Sequence, residues 1–203
     1  MNKKVILFDA DGVVIRTEFF SVQYGKKFGL PPEKMLAFFN GIFQNCLIGK
    51  ADLKKVIKPY LRQWKWDKNV DDFLLYWFKA EDKPDKRVIN LVKELRKNAI
   101  HCYLATNQEK YRTEYIRNQM GFGKIFNGIF SSAEIGSKKP QQIFYEHIFQ
   151  ELKKHGFTKD QIMLIDDRSS HVDGAKKAGI DACLYTEFKQ LQNLVKPLLK
   201  NHP

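Results

Sequence analysis

Short runs of apolar residues mark one strand near the start of the chain and four more in its second half. Residues 5–8 (VILF) are all apolar, and comparable runs recur later. Continuous apolar runs of four to eight residues are typical of strands buried on both faces. The later predicted strands cover 100–105 (IHCYLA), 128–131, 161–165 (QIMLI) and 181–185.

Between these later strands, apolar residues recur at the three- and four-residue spacing of amphipathic helices. This spacing predicts helices over 88–97, 110–120, 140–155 and 172–178, and a last helix carrying Phe188, Leu191, Leu194, Val195 and Leu198. Strands that alternate with helices are typical of a parallel sheet with helices on both faces. The predicted fold class is therefore α/β, with a doubly wound parallel sheet.

A purely helical pattern separates the first predicted strand from the others. Helical spacing covers 18–27, 32–45, 50–64 and 70–80, and aromatic residues are dense throughout this segment. Pro31 and Pro32 separate the first two of these helices, and Pro84 follows the last one. We therefore expect an α/β core formed by residues 1–15 and 84–203, with a small helical domain at 16–83 inserted after the first strand.

Polar side chains stand where the predicted strands end. They are Asp9 and Asp11 after the first strand, Thr106 and Asn107 after the second, Asp166 and Asp167 after a later one, and Lys139 just before the helix that opens at Pro140. Ligands bind at the carboxyl ends of the strands in an open parallel sheet. The sequence therefore predicts one site at this edge, and adjacent carboxylates there would repel each other without a nearby cation.

Charge and composition narrow the partners. The chain has 203 residues and a formal net charge of +12, from 35 Lys and Arg against 23 Asp and Glu. This balance favours anionic partners. The basic residues are dispersed and no nucleic-acid-binding module is recognisable, so we expect a small anionic phosphorylated substrate and no nucleic acid. No apolar run approaches the roughly 20 residues of a membrane helix, so no membrane partner is expected.

The cysteines and the N-terminus bear on the compartment. Cys46, Cys102 and Cys183 are far apart and form no CxxC pair. They are typical of reduced core thiols and not of a disulfide framework or a zinc site. The first residues lack the longer apolar core and cleavage site of a signal peptide. We therefore expect a cytoplasmic protein.

Taken together, the strand ends and the lysine resemble the four motifs of the haloacid dehalogenase superfamily, whose hydrolases are mostly magnesium-dependent phosphatases. The matching segments are Asp9-Ala10-Asp11-Gly12-Val13, Leu104-Ala105-Thr106-Asn107, Lys139-Pro140, and Leu164-Ile165-Asp166-Asp167 followed by Ala175-Lys176-Lys177-Ala178-Gly179. All four occur in the family's order, and the resemblance covers the whole chain. Taken alone, the first three motifs also fit a turn, a helix cap and a solvated lysine, whereas the adjacent carboxylates of the fourth are the hardest to explain without a cation.

The inserted helices resemble the small helical cap of one large branch of this family. Residues 165–172 are similar to the corresponding segment of the sugar-phosphate phosphatases, which usually have Asn at the position of His171. We expect His171 to have a structural role in a loop. Because caps of this kind carry substrate recognition, Arg16, Glu18, Phe19 and Phe43 are candidates for contact with the substrate.

The resemblance also implies roles for the site residues. Asp9 is the nucleophile that forms an aspartyl phosphate, and Asp11 is the general acid and base. We expect surrounding negative charge to raise the pKa of Asp11 towards neutrality. Thr106, Asn107 and Lys139 bind the phosphate, and Thr106 and Lys139 also stabilise the transferred group. The implied cofactor is Mg²⁺, with ligands from Asp9, Asp167, the backbone carbonyl of Asp11, and Asp166 directly or through water.

The function predicted from these features is a magnesium-dependent phosphatase that hydrolyses a small phosphorylated metabolite, with sugar phosphates as the first expectation from the resemblance. The second Asp of the first motif favours phosphoryl transfer over dehalogenation. Three alternatives stay open at this point: a phosphomutase of the same superfamily, a non-catalytic regulatory module, and a phosphatase acting on nucleic-acid ends.

Overall fold

The computed structural model describes residues 2–16 and 18–199. Five parallel strands form one sheet in the order β3-β2-β1-β4-β5. Their bounds are β1 Val5–Phe8, β2 His101–Thr106, β3 Gly128–Ser131, β4 Ile162–Asp166 and β5 Asp181–Leu184. The strand order reverses between β1 and β4, which is where open parallel sheets bind their ligands. The predicted doubly wound α/β sheet is confirmed.

The helices occupy the connections between these strands and one long insertion after β1. Their bounds are α1 Phe20–Phe28, α2 Pro32–Asn40, α3 Phe43–Cys46, α4 Leu53–Leu61, α5 Val70–Ala80, α6 Lys86–Lys97, α7 Lys110–Asn118, α8 Phe122–Ile125, α9 Ser132–Ile135, α10 Gln142–Lys154, α11 Ser169–Lys177 and α12 Phe188–Val195. Two 3₁₀ turns follow α10 and α12, at Lys159–Gln161 and Lys196–Leu198.

Successive side chains of β1 enter two different cores, one on each face of the sheet. Val5 and Leu7 pack with residues of α10 and α11, whereas Ile6 and Phe8 pack with residues of α6 and α12. All four side chains are fully buried. A one-residue slip would exchange the two faces, so this burial fixes the register of β1. The residues that follow β1 are therefore held in a defined position at the sheet edge.

Helices α1 to α5 form the helical insertion (residues 18–83), which packs around an aromatic core of its own. Phe38, Trp64 and Phe73 are fully buried in it. The rings of Phe38 and Trp64 meet edge to face at 5.3 Å between centroids, an arrangement that aromatic pairs favour. The dense aromatic residues of this segment thus supply the buried surface that its short helices need.

The segments that lead into and out of the helical insertion are hydrogen-bonded to each other. The backbone N–H of Arg16 donates to the carbonyl of Lys83 at 3.0 Å, and that of Asp85 donates to the carbonyl of Val14 at 2.8 Å. The predicted boundaries at residues 16 and 83 fall at this pair of backbone hydrogen bonds. The division of the chain into a core and a cap domain stays a prediction.

The predicted helix over 32–45 is wrong in one respect, because the chain bends at Gly41 between α2 and α3. Gly41 has φ −98° and ψ −117°. A Cβ atom at this position would lie 2.6 Å from the carbonyl oxygen of Ala37, closer than real contacts allow. Helix α11 also begins three residues earlier than predicted, so His171 lies in a helix and not in a loop.

None of the helices in the described part of the chain is long and apolar enough to cross a membrane. Cys46 and Cys102 are buried and Cys183 is half-buried, and all three are free thiols. Burial raises the pKa of Cys46 to about 11, which keeps this thiol protonated and unreactive at neutral pH.

Candidate active site

A buried lysine joins two carboxylates at the carboxyl ends of β1 and β4. Lys139 Nζ lies 3.0 Å from Asp9 Oδ1 and 2.6 Å from Asp166 Oδ2. Asp9 follows β1 directly, and its backbone N–H donates to the carbonyl of Ile165 in β4 at 2.9 Å. This hydrogen bond ties the two strand ends together at the point where the strand order reverses. The sequence-predicted convergence of these three side chains is observed in the structure.

Asn107 fixes the segment that carries Lys139. Its amide Nδ2 donates to the carbonyl of Lys139 at 3.0 Å, and its Oδ1 accepts the backbone N–H of Lys139 at 2.9 Å. The side chain therefore holds the lysine backbone in the way a neighbouring strand would. Asn107 also lines the cavity described below, and its predicted contact with substrate stays a prediction.

Asp166 is surrounded by protein donors. Its carboxylate accepts from Lys139, from the backbone N–H of Arg168 at 3.0 Å, and lies 3.0–3.1 Å from His171 Nδ1. Burial acts to raise its pKa, but His171 and Lys139 outweigh that effect and lower the pKa to about 2. The side chain has no exposed surface. In this structure, Asp166 orients Lys139 and His171, and its predicted role as a metal ligand stays a prediction.

Asp11 is held by Arg112, which the sequence analysis did not identify. Arg112 Nη1 and Nη2 donate to the two oxygens of Asp11 at 2.8 Å each, and Gln108 Nε2 donates to Oδ2 at 2.6 Å. Burial acts to raise the pKa of Asp11, but the charge and hydrogen bonds of Arg112 lower it below the ordinary value. The expectation that surrounding negative charge raises the pKa of Asp11 is therefore wrong, because a buried guanidinium dominates its surroundings.

Arg112 also connects this site to the helical insertion through Glu81. Arg112 Nη2 lies 3.3 Å from Glu81 Oε2. Glu81 in turn accepts the backbone N–H of Phe20 at 2.8 Å and the indole N–H of Trp77 at 2.9 Å. The buried arginine therefore pairs with one carboxylate from each part of the molecule. An arginine in the first turn of the helix after the second motif was the signal available in the sequence.

Thr106 ends β2 beside Asp9. The register places Phe8 opposite Leu104, two residues before Thr106. Thr106 is 1% exposed and lines the same cavity as Asp9 and Lys139. Its predicted contact with a phosphate oxygen stays a prediction.

Asp167 lies beside the loop that follows β1. It is exposed and lines a separate hollow with Gly12, Arg16 and Glu18. Gly12 has φ +87°, and a Cβ on it would lie 2.0 Å from Asp167 Oδ2. Only glycine permits both this backbone conformation and this close approach. The partial burial of its carboxylate, followed by the charge of Asp166, raises the pKa of Asp167.

The carboxylates of Asp9 and Asp167 have the chemistry that Mg²⁺ requires. Burial raises the pKa of Asp9 to about 7 in spite of Lys139, and the pKa of Asp167 is also raised. Both shifts mean that the ionised forms have too little positive charge around them. A divalent cation would supply that charge, and oxygen ligands are the kind that Mg²⁺ prefers. Ligand atoms of Asp9, Asp166 and His171 also lie within 4.8 Å of one another, but the last two already pair with each other.

A cavity of about 550 Å³ opens above these residues. Its floor comes from the sheet edge and includes Asp9, Asp11, Thr106 and Lys139. Its other wall comes from the helical insertion. Of the candidate substrate contacts, Phe19 and Phe43 line this cavity, whereas Arg16 and Glu18 line the separate hollow beside Asp167. The volume is within the range of small-molecule binding sites.

The fold and this arrangement of side chains define a hydrolase of one superfamily. A family model described as haloacid dehalogenase-like hydrolase matches residues 3–179. The chain therefore belongs to the haloacid dehalogenase-like hydrolases. The strands that precede the first, second and fourth motifs (β1, β2 and β4) are neighbours in the sheet, and Lys139 of the third motif pairs with Asp9 and Asp166 at their ends.

Three proteins illustrate what this chain is similar to. The sesquiterpene phosphatase astK of Aspergillus oryzae is 31% identical over 98 residues, which are 48% of this chain and 48% of that protein. The pyrimidine 5'-nucleotidase PynA of Streptococcus pneumoniae is 35% identical over 68 residues, 33% of this chain and 28% of that protein. The matches thus span less than half of either relative. The magnesium complex of the enzyme bt-2542 from Bacteroides thetaiotaomicron has a TM-score of 0.79 at 17% identity, covering 97% of this chain and all of that one.

Proposed function

We propose that the protein is a magnesium-dependent phosphatase that hydrolyses a small phosphorylated metabolite through an aspartyl phosphate on Asp9. The observation that carries this proposal is the placement of Asp9, Asp11, Thr106 and Lys139 on the floor of one cavity. These groups are a nucleophile, an acid and base, a hydroxyl donor and a cation, which are the parts that phosphoryl transfer to a carboxylate requires.

In the first step, a carboxylate oxygen of Asp9 forms a bond to phosphorus while the bond from phosphorus to the ester oxygen breaks. Lys139 stabilises the charge on Asp9 and on the phosphoryl oxygens, and the hydroxyl of Thr106 donates to one of those oxygens. Asp11 gives a proton to the leaving ester oxygen. In the second step, Asp11 takes a proton from the water that attacks the aspartyl phosphate, which releases inorganic phosphate and restores Asp9.

The contact between Arg112 and Asp11 suits the second step of the proposed reaction. It holds Asp11 as a carboxylate, the form that accepts a proton from water. The first step requires Asp11 to carry a proton and to turn from Arg112 towards the ester oxygen. Because Arg112 also pairs with Glu81 of the helical insertion, we propose that residues 16–83 form a cap whose position is coupled to the orientation of Asp11.

Mg²⁺, when bound by Asp9, Asp167 and the backbone carbonyl of Asp11, would supply the positive charge that lets a carboxylate approach a phosphate. The raised pKa values of Asp9 and Asp167 support this ligand set. The magnesium complex of the similar bt-2542 enzyme is in keeping with it.

The two curated relatives are a phosphatase and a nucleotidase, which supports a phosphate monoester as the substrate. They act on chemically different molecules, so they do not select one substrate for this chain. Sugar phosphates, the expectation from the sequence, stay a prediction and belong in any substrate panel.

The experiment that tests this function measures release of inorganic phosphate from a panel of phosphate monoesters, in Mg²⁺ and in excess EDTA. We expect EDTA to abolish activity and Asp9→Asn to lower kcat by at least about a thousandfold. Asp71→Asn, in which the replaced side chain is 73% exposed in the helical insertion, is the control. Wild-type rates from Asp9→Asn would show that the nucleophile is misassigned. Transfer of phosphate to a second hydroxyl without its release would instead identify a mutase.

A further inference from the structure

The part of the cavity lining that comes from the helical insertion is mostly apolar, with seven apolar side chains and four polar ones. We call these apolar side chains the cavity roof: Phe19, Phe20, Leu36, Phe39, Phe43, Leu47 and Trp77. The floor, by contrast, carries the carboxylates, the hydroxyl and the lysine of the proposed reaction. The cavity therefore has a polar floor and a mostly apolar roof.

The polar side chains of the helical insertion that reach this cavity are few, and two of them are already engaged. Gln44 donates to the carbonyl of Phe39 at 2.6 Å and accepts from Lys138. Glu81 accepts from Phe20 and Trp77 and pairs with Arg112. Ser21 and Asn40 complete this polar group. Among the described residues of the insertion, no lysine, arginine or histidine lines the cavity.

This composition matters because hydroxyl groups and hydrocarbon make opposite demands on a binding surface. A sugar hydroxyl that loses water against an apolar wall must find a hydrogen-bond partner, or its burial is unfavourable. A hydrocarbon group gains from the same contact by an amount that grows with the area removed from water. The cavity roof provides large apolar area and few hydrogen-bonding groups, so it favours hydrocarbon.

The apolar surface also continues outward from the cavity. Phe19 is 61% exposed and Leu36 is 43% exposed, although both line the chamber. Large side chains of this kind that surround a pocket and remain exposed are typical of a ligand-binding groove. Their position gives a substrate chain longer than the enclosed cavity a surface on which to lie.

We propose that the natural substrate is the phosphate monoester of an apolar alcohol, with its phosphate on the floor and its hydrocarbon chain packed against the cavity roof. This inference rests on the proposed phosphatase function and names its substrate class. A planar nucleotide base could also stack on aromatic rings, but its polar edges would need hydrogen-bond partners that the roof supplies sparsely.

The test compares kcat/KM for n-alkyl monophosphates from ethyl to octyl with the values for glucose 6-phosphate and uridine monophosphate, all in Mg²⁺. Each methylene that the roof buries should raise kcat/KM by about fourfold. We expect hexyl phosphate to exceed ethyl phosphate, glucose 6-phosphate and uridine monophosphate by at least about tenfold each. A flat dependence on chain length, or a higher value for the sugar phosphate or the nucleotide, would overturn the proposal.

A binding measurement separates this inference from the proposed function. Alkylphosphonates contain a phosphorus–carbon bond that phosphatases of this mechanism do not cleave, and calorimetry with the Mg²⁺-loaded protein gives their Kd directly. If no ester is hydrolysed but Kd falls with chain length, the phosphatase function fails and the apolar specificity stands. If esters are hydrolysed but neither kcat/KM nor Kd depends on chain length, the specificity fails alone.

Two exposed roof positions allow a mutational test with a matched control. Leu36→Gln and Phe19→Gln should each lower the ratio of kcat/KM for hexyl phosphate to that for ethyl phosphate by at least about threefold. Leu75→Gln is the control, because Leu75 is 44% exposed in the same insertion and does not line the cavity. Wild-type ratios from both roof variants would show that the roof does not contact the substrate.

Discussion

Lys139 and Asp166 form an ion pair that is completely withdrawn from solvent. The atoms Nζ and Oδ2 are 2.6 Å apart, and neither side chain has exposed surface. The same ammonium group lies 3.0 Å from Asp9 Oδ1. Removing two charges from water is unfavourable unless each finds a partner, so loss of one member leaves the other buried and unpaired. The lysine is therefore needed by the fold as well as by the proposed chemistry.

Replacing this lysine by an apolar side chain of similar length tests whether the fold needs its charge. We expect Lys139→Met to lower the free energy of unfolding by about 3 kcal/mol or more, measured by urea denaturation. Lys154→Met is the control, because Lys154 pairs with Glu151 at the same 2.6 Å but is 65% exposed, and such pairs contribute at most about 1 kcal/mol.

A second substitution identifies the cause of that loss. The double variant Lys139→Met with Asp166→Asn removes one of the two carboxylates that lose the lysine, and it should recover at least about 1 kcal/mol relative to the single variant. A double variant as unstable as Lys139→Met would show that packing of the lysine, and not its charge, is what the core requires.

The two adjacent carboxylates after β4 should respond differently to magnesium. Asp166 is enclosed by Lys139, His171 and the backbone of Arg168, whereas Asp167 is exposed beside Gly12. We expect Asp167→Asn to raise the Mg²⁺ concentration for half-maximal activity at least about tenfold with little change in unfolding free energy. Asp166→Asn should mainly destabilise the protein. A magnesium requirement altered only in Asp166→Asn would reverse this assignment.

The main parts of the floor were predictable from sequence because they depend on backbone topology. Asp9, Thr106 and Asp166 each end or follow a strand, and parallel strands bring such positions to one edge whatever their side chains do. Lys139 could be assigned to the same edge only from the order of the motifs, because it precedes a helix and does not end a strand. The strand runs themselves were visible because central strands of a parallel sheet are apolar on both faces.

What could not be predicted depends on how helices rotate and dock. The pairing of Arg112 with Asp11 and Glu81 requires a particular face of α7 to meet both the strand end and the helical insertion. The position of Gln108 beside Asp11 depends on the same docking. Helical periodicity shows that α7 is amphipathic but does not specify what lies opposite each residue. The pKa of Asp11 was wrongly predicted for this reason.

The bidentate contact of Arg112 with Asp11 predicts a positioning role for the arginine. We expect Arg112→Gln to lower kcat about ten- to a hundredfold, because Asp11 loses the donors that hold its carboxylate in place for the second step. Arg112→Lys should recover only part of the activity, since lysine cannot make two parallel hydrogen bonds. Phosphate release under saturating substrate is the measurement.

Arg117 provides the control for this prediction. It lies on the same helix and pairs with Glu134 through one nitrogen, at 2.7 and 3.0 Å, but on the exposed surface. Arg117→Gln should leave kcat within about twofold of wild type. Equal losses from Arg112→Gln and Arg117→Gln would show that α7 tolerates neither change and that Asp11 is not specifically positioned.

The N-cap of α7 makes stability depend on pH in a direction that can be measured. Glu109 is 2% exposed and accepts the backbone N–H of Tyr111 at 2.9 Å and that of Arg112. Burial raises its pKa from the ordinary 4.5 to about 7, although these hydrogen bonds and the charges of Arg112 and Lys110 act to lower it. Between those two pH values the folded chain keeps a proton that the unfolded chain releases.

The free energy of unfolding contributed by Glu109 is therefore greatest below pH 4.5 and declines as pH rises through 7. Glu109→Gln removes this titration but keeps an oxygen that can cap the helix. The stability of the variant minus that of wild type should increase by about 1–3 kcal/mol between pH 5 and pH 8, measured by urea denaturation at each pH. Glu114→Gln, an exposed change on α7, controls for the loss of one negative charge. A difference that stays constant with pH in Glu109→Gln would mean that Glu109 is ionised in the folded protein throughout this range.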